Sequence, residues 1–179
     1  MRKRFLLTLL INLSVYSGYS QNIALDINSF YGGWNNELSA YYYGGAGISL
    51  LYEHPLKKGA LSGGFALRTI DWGNQVTVNV GYNATYLLRD NWRLDGVSTV
   101  GLGLALFKYK PLLVWSFGYV PEFTWLRKKK IDYSMGLGIR YSNSPAYKNY
   151  GQIYQLLEFP IKIGVKYHLK GKTPASVVP

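Results

Sequence analysis

Residues 76–86, Val-Thr-Val-Asn-Val-Gly-Tyr-Asn-Ala-Thr-Tyr, alternate without a break between apolar or aromatic side chains and small polar ones. Alternation with a period of two places these sets on opposite faces of a β-strand. The pattern recurs clearly at 113–125, 131–141 and 157–169, and more weakly at 23–31, 46–52, 61–69 and 92–106. The sequence therefore predicts an all-β chain of eight strands, most of them longer than soluble strands usually are.

The two faces of these strands differ in charge. The apolar face carries no Asp, Glu, Lys or Arg, whereas the opposite face is rich in Gly, Ala, Ser and Thr. The charged residues of that opposite face and its ends are nearly balanced in sign: Asp26, Glu53, Arg68, Arg93, Asp95, Glu122, Asp132, Arg140, Glu158, Lys162 and Lys166. A water-facing surface would carry more Lys and Glu. We therefore expect the apolar face to meet lipid and the small polar face to be enclosed; a soluble lipocalin-type barrel is the alternative.

Aromatic residues mark the ends of the predicted strands. Such rings favour the headgroup level of a membrane, where one end is apolar and the other is wet. They are Tyr31, Trp34, Tyr52, Trp72, Tyr86, Trp92, Tyr109, Trp115, Trp125, Tyr133, Tyr141 and Tyr167. Their placement supports the lipid-facing orientation.

The composition and the N-terminus set the domain organisation. The chain has 179 residues, which is enough for one domain, and it has no cysteine, which excludes disulfides, thiolate metal sites and lipidated cysteines. Arg2-Lys3-Arg4, the apolar run 5–15 and Gly18-Tyr19-Ser20 predict a cleaved Sec-type signal peptide over 1–20. We expect the barrel domain at 21–169 and a flexible periplasmic tail at 170–179.

The links between the strands predict which end of the barrel faces which side. Short polar links after the second, fourth and sixth strands are expected to be periplasmic turns, at 53–59, 89–91 and 127–130. The alternate links are expected to be short outer loops, at 33–45, 71–75, 107–111 and 143–155.

The pattern as a whole resembles the small eight-stranded outer-membrane barrels of the OmpA/OmpX type. The last strand, Lys162-Ile163-Gly164-Val165-Lys166-Tyr167-His168-Leu169, resembles the C-terminal signal that the outer-membrane assembly machinery reads. The resemblance implies an antiparallel up-and-down transmembrane β-barrel in a bacterial outer membrane, in contact with lipid and lipopolysaccharide. It also implies the positions read by the machinery: Lys162, Gly164, Tyr167 and Leu169. The final Leu, where Phe is commoner, and the ten residues after it depart from the pattern.

One segment suggests an enzyme. Arg140-Tyr141-Ser142-Asn143, with Glu158 further on, resembles the His-x-Ser-Asn…Glu arrangement of outer-membrane lipid A deacylases. Arg140 occupies the histidine position, and a guanidinium does not accept the nucleophile's proton. His54 and His168 are expected at the opposite end of the barrel, so we expect no catalysis. No metal-ligand spacing, phosphate loop or nucleic-acid patch is present, so no cofactor and no nucleic-acid partner is expected.

The enclosed charges predict how the interior is used. Eight strands leave a lumen just wide enough for side chains, so we expect a plugging ion-pair network of Arg68, Arg93, Asp95, Glu122, Asp132, Arg140, Glu158 and Lys162. The expected pairs are Arg140 with Asp132 or Glu158, and Arg93 with Glu122. The predicted function is a structural or interaction component of an envelope complex, presenting 41–43 and 147–154 to a partner. A small-solute or apolar-ligand conduit and a lipid A deacylase-like hydrolase are the alternatives.

Overall fold

The computed structural model describes residues 21–36, 39–56, 58–70, 73–106, 111–126, 130–144 and 154–169. In these ranges the chain forms nine strand segments, and no helix there is long and apolar enough to cross a membrane. The segments are β1 (Asn22–Asn36), β2 (Ser39–Leu56), β3 (Gly59–Ile70), β4 (Gly73–Leu88), β5 (Trp92–Leu106), β6 (Pro111–Trp125), β7 (Ile131–Leu137), β8 (Ile139–Ser144) and β9 (Tyr154–His168).

The nine segments form eight strands of a closed antiparallel sheet. Each strand pairs with the next along the chain, and β1 pairs with β9 to close the barrel. β7 and β8 lie on one line, since both pair with β6 and β9, and they are separated only at Gly138. On β9, Pro160 stands opposite Gly138. Proline has no N–H to donate to the ladder, but the Pro160 carbonyl accepts a hydrogen bond from the Gly138 N–H at 3.1 Å. The predicted eight-stranded up-and-down barrel is confirmed.

The register fixes the width of the barrel. Following the residues that face each other on neighbouring strands once around the sheet from Asn22 returns to β1 at Gly32, ten residues further on. For eight strands this stagger corresponds to a tilt of about 40° and a backbone radius of about 8 Å. Side chains from opposite walls can therefore meet inside.

The apolar face points outward. Val80, Leu137 and Ile163 lie near the middle of their strands and are 62%, 63% and 65% exposed. In contrast, the barrel interior holds buried acidic side chains, among them Asp26, Glu122 and Glu158. The predicted inversion, with the apolar side outside and the charged side enclosed, is therefore present in the structure.

The links lie where their alternation predicted, but several strands are longer than expected. β2, β4 and β6 end on the side of the barrel where Asn22 and His168 lie, which we call the terminal end; β1, β3, β5 and β8 end on the opposite side, which we call the distal end. The predicted loop 33–45 is wrong, because β1 and β2 remain paired as far as Asn36 and Ser39. Main-chain pairing does not require alternation, and the glycines at 32, 33, 44 and 45 interrupt the side-chain pattern without breaking the ladder.

Candidate functional site in the barrel interior

An ion-pair network occupies the half of the interior nearer the terminal end. Lys162 Nζ lies 3.0 Å from Asp26 Oδ2 and 2.5 Å from Glu122 Oε2. Lys166 Nζ lies 2.6 Å from Glu122 Oε1 and 3.1 Å from Glu53 Oε1. The two lysines are four residues apart on β9, so they share its inner face. Glu122 therefore bridges both cations, and Asp26 and Glu53 each hold one.

Gly164 provides the space for this network. It stands opposite Asp26 on β1, between the two lysines of β9. A Cβ at this position would collide with the Asp26 carboxylate and lie 2.7 Å from Ser134 Oγ. A glycine is required here because the Asp26 side chain occupies the volume that a larger residue would take.

Further polar contacts continue the network to the terminal end. Arg93 Nε lies 2.6 Å from Asp95 Oδ2, and Asp95 also accepts a hydrogen bond from Thr85 at 2.9 Å. The predicted Arg93–Glu122 pair is therefore wrong. Asp95 lies two residues from Arg93 on the same face of β5, and the Arg93 guanidinium pairs with this nearer carboxylate. Asp132 Oδ2 contacts His168 Nε2 at 2.7 Å.

A second charged group lies nearer the distal end. Arg68 Nη2 lies 2.5 Å from Glu158 Oε2, and its Nη1 donates to Gln75 at 2.9 Å. The Tyr43 hydroxyl donates to the other Glu158 oxygen at 3.3 Å. The Arg68 guanidinium also lies 4.2 Å from the centre of the Phe30 ring, within the range of a cation–π contact. Arg68 spans from β3 to β9 and thus crosses the lumen.

A cluster of buried apolar side chains lies beside this group at the distal end. Its members come from six different strands and are almost completely buried: Phe30, Tyr43, Ile70, Ala105, Val114 and Leu156. The sequence analysis did not predict this cluster. Large apolar residues on the otherwise polar, inward face of the strands could have indicated it. The predicted display of Tyr43 to a partner is wrong, since Tyr43 is 2% exposed. Residues 147–153 of the other predicted display segment lie outside the described residues.

Arg140 does not form the pairs predicted for it. It stands directly opposite Glu158 on β9, yet it has no ion pair with any described residue, because the Glu158 oxygens face Arg68 and Tyr43. Asp132 lies eight residues away at the terminal end, against His168. The structure therefore brings Arg140 and Glu158 to the same level of the interior without joining them.

The hydrolase-like segment does not assemble a catalytic arrangement. Ser142 is buried near the distal end, opposite Leu156, and its Oγ has no hydrogen-bond partner in the described part of the chain. His168 lies twelve positions further along β9, which is about 40 Å of strand. His54 lies next to the β2–β3 turn, also at the terminal end. In the ranges that the structure describes, no group of three or more His, Asp or Glu residues could hold a metal ion.

The four residues of the predicted assembly signal lie on or just after β9. Lys162 and Gly164 face inward, whereas Tyr167 and Leu169 are exposed on the outside. The Leu169 N–H donates to the Gln21 carbonyl at 2.9 Å, so the two ends of the described barrel are tied together. Recognition of this segment by an assembly machinery stays a prediction, as does the signal peptide at 1–20, which lies outside the described residues.

Comparisons with known proteins concern the fold. No protein-family model and no curated protein matches the chain. Among solved structures, Neisserial surface protein A (NspA) is similar with a TM-score of 0.54 and 8% identity, over 81% of this chain and 96% of that one. Ail, the attachment invasion locus protein of Yersinia pestis, gives a TM-score of 0.45 and 10% identity, over 84% and 99%. The similarity to NspA and the closed eight-stranded sheet show that the chain has the fold of the small eight-stranded outer-membrane β-barrels, which confirms the OmpA/OmpX-type resemblance at the level of the fold.

Proposed function

We propose that this protein is a non-enzymatic barrel of a bacterial outer membrane, closed inside by its own side chains, that serves as a structural or interaction component of the envelope. The terminal end faces the periplasm and the distal end faces outward. The observation that carries the proposal is the crossing of the lumen by charged side chains paired between opposite walls, with Arg68 and Glu158 as the clearest case.

The outer surface supports the membrane assignment. Every outward residue from Leu157 on β9 to Leu169 just after it is apolar or aromatic. These positions cover about 40 Å of strand, which at a tilt of about 40° is about 30 Å along the barrel axis. This height suits the apolar band of a membrane barrel. Exposed Trp115 near the distal end and Trp125 at the terminal end fit the two interfacial levels.

Three features of the interior support a closed lumen. The wall has a radius of about 8 Å, so long side chains from two sides fill it. Buried charges are costly unless they are paired, and Lys162, Lys166 and Glu122 hold one another. The apolar cluster adds a second barrier, because side chains from six strands meet there.

The closed lumen is tested by single-channel recording in planar bilayers. The wild-type protein is expected to show no steady open state. A double variant, Phe30→Ala with Leu156→Ala, removes two large members of the apolar cluster and serves as the comparison for leakage. A stable conducting state of the wild-type protein would contradict the proposal and favour the conduit.

The interaction role is tested by affinity purification from the native membrane with the folded barrel as bait. We expect one envelope protein to be enriched over a matched empty-vector membrane. Outer-membrane lipid and lipopolysaccharide are the expected surroundings in either case, so recovery of lipid alone would argue against a protein partner.

A further inference from the structure

The links that join the strands at the two ends of the barrel differ in charge. Those at the terminal end contain seven cations and one acid, and they are residues 57–58, 89–91 and 126–130. Those at the distal end contain three cations and two acids, and they are residues 37–38, 71–72, 107–110 and 145–153. The positive charge of the links is therefore concentrated at the terminal end.

Three aromatic residues form a row across neighbouring strands on the outside of this end. Trp92 on β5 stands opposite Trp125 on β6, and Trp125 stands opposite Tyr133 on β7. The Phe123 ring packs against two rings, with its centre 5.4 Å from that of Trp92 and 4.7 Å from that of Trp125. Trp125 and Tyr133 nevertheless remain exposed. The row therefore offers a preformed aromatic surface at the rim of the barrel.

An open cleft of about 430 Å³ lies beside this row. It is lined by Asn91, Trp125, Leu126 and Tyr133, and its volume is within the range of small-ligand sites. The β4–β5 turn is held beside it, because the Leu126 N–H donates to the Asn91 carbonyl at 2.9 Å. The exposed Asn91 adds an amide that can donate a hydrogen bond. We call this feature the rim cleft.

Cations border the rim cleft on the terminal side. Arg89 lies in the same turn as Asn91, and its N–H donates to the carbonyl of Trp92 at 2.9 Å. Lys130 directly precedes β7, which carries Tyr133. Both cations are exposed, and the sequence between Leu126 and Lys130 is Arg-Lys-Lys. An aromatic cleft bordered by cations matches a ligand that joins an apolar part to an anionic group.

We propose that the rim cleft binds one anionic phospholipid. The lipid phosphate lies beside Arg89, Lys130 and the Asn91 amide, and the first part of an acyl chain packs against Trp125 and Tyr133. Cations near a membrane surface attract anionic lipids, and Trp and Tyr favour the same headgroup level. This inference rests on the proposed membrane placement, because only there does the cleft lie at the headgroups of the periplasmic leaflet.

The test is native mass spectrometry of the folded barrel, released from detergent micelles that contain dioleoylphosphatidylglycerol or dioleoylphosphatidylethanolamine. We expect one phosphatidylglycerol to be retained, at least about fivefold more strongly than phosphatidylethanolamine, which has no net charge. Lys130→Gln is expected to weaken this retention about fivefold. Lys58→Gln is the matched control, because it removes an exposed cation at the same end, in the turn between β2 and β3 on the opposite wall. It is expected to leave the retention unchanged.

A second pair of variants tests the aromatic wall of the cleft. Trp125→Leu is expected to weaken the retention of phosphatidylglycerol about fivefold or more. Trp115→Leu, which removes an exposed ring near the distal end, is expected to leave it unchanged. Gel migration of unboiled samples checks that each variant is folded. If Trp125→Leu does not fold, the surface variant Arg89→Gln with Lys130→Gln decides, with an expected loss of about 30-fold.

Equal retention of the two lipids would overturn the proposal, and so would an equal loss in Lys58→Gln and Lys130→Gln, which would indicate diffuse attraction to the whole end. Displacement of the lipid by an equal concentration of glycerophosphoglycerol, which has no acyl chains, would also refute a lipid site. These failures are distinct from failure of the membrane placement. A barrel that folds into vesicles without preferring phosphatidylglycerol lacks only the lipid site, whereas a barrel that is folded in water without lipid or detergent is not a membrane barrel.

Discussion

An arginine at Val80 should strongly destabilise the barrel in lipid. Val80 lies in the middle of β4, points outward and is 62% exposed. The same level of the neighbouring strands presents only apolar or small side chains, since Val80 pairs with Gly63 and Val100. A guanidinium there would lie near the centre of the hydrocarbon layer.

The size of the expected destabilisation depends on how deep the substituted residue lies in the bilayer. An arginine on the lipid face costs about 2–4 kcal/mol at the bilayer midplane and about 0–1 kcal/mol near the interfaces. For Val80→Arg this corresponds to a loss of about 30- to 900-fold in the folding equilibrium constant. Leu88→Arg is the matched control, because Leu88 is also exposed but ends β4 at the terminal end.

The assay is urea titration of folding into lipid vesicles, with the folded fraction read from gel migration of unboiled samples. Both variants are compared with the wild-type protein in the same vesicles. If Val80→Arg were no more destabilising than Leu88→Arg, the outward face would not be in hydrocarbon, and a water-soluble barrel would be the better description.

Three further predictions concern the interior and the N-terminus. Glu122→Gln removes the carboxylate that Lys162 and Lys166 share, although Lys162 keeps Asp26 and Lys166 keeps Glu53. It should therefore destabilise the barrel by about 1–3 kcal/mol in the same titration; an unchanged midpoint would show that Glu122 contributes nothing to stability. Gly164→Ala should lower the stability of the barrel by about 1–3 kcal/mol through the collision with the Asp26 side chain, whereas Gly63→Ala, whose Cβ would meet its nearest neighbour at 4.0 Å, should be nearly neutral. The intact mass of the protein from outer membranes should correspond to a chain beginning at Gln21, and a mass that retains residues 1–20 would contradict signal cleavage.

The layered interior gives these variants different expected effects. The network around Glu122 joins β1, β2, β6 and β9, so its loss affects pairing on both sides of the barrel closure. The Arg68–Glu158 pair joins β3 and β9 directly across the lumen. Changes in the first group are expected to loosen the terminal end, and changes in the second to loosen the distal end.

Alternation and residue type in the sequence determined the strand number, the antiparallel order, the outward apolar face and the identity of the enclosed charges. These features follow from local geometry. A period of two separates the two faces of any strand. A polar face that is not rich in lysine and glutamate is typical of the inside of a membrane barrel. The tertiary structure alone decided which charges meet. Arg93 contacts Asp95 rather than Glu122, and Arg68 rather than Arg140 holds Glu158. The physical reason is that such contacts depend on the stagger of the strands around the closed sheet and on how far each side chain extends across the lumen. The residue pattern of a single strand determines neither.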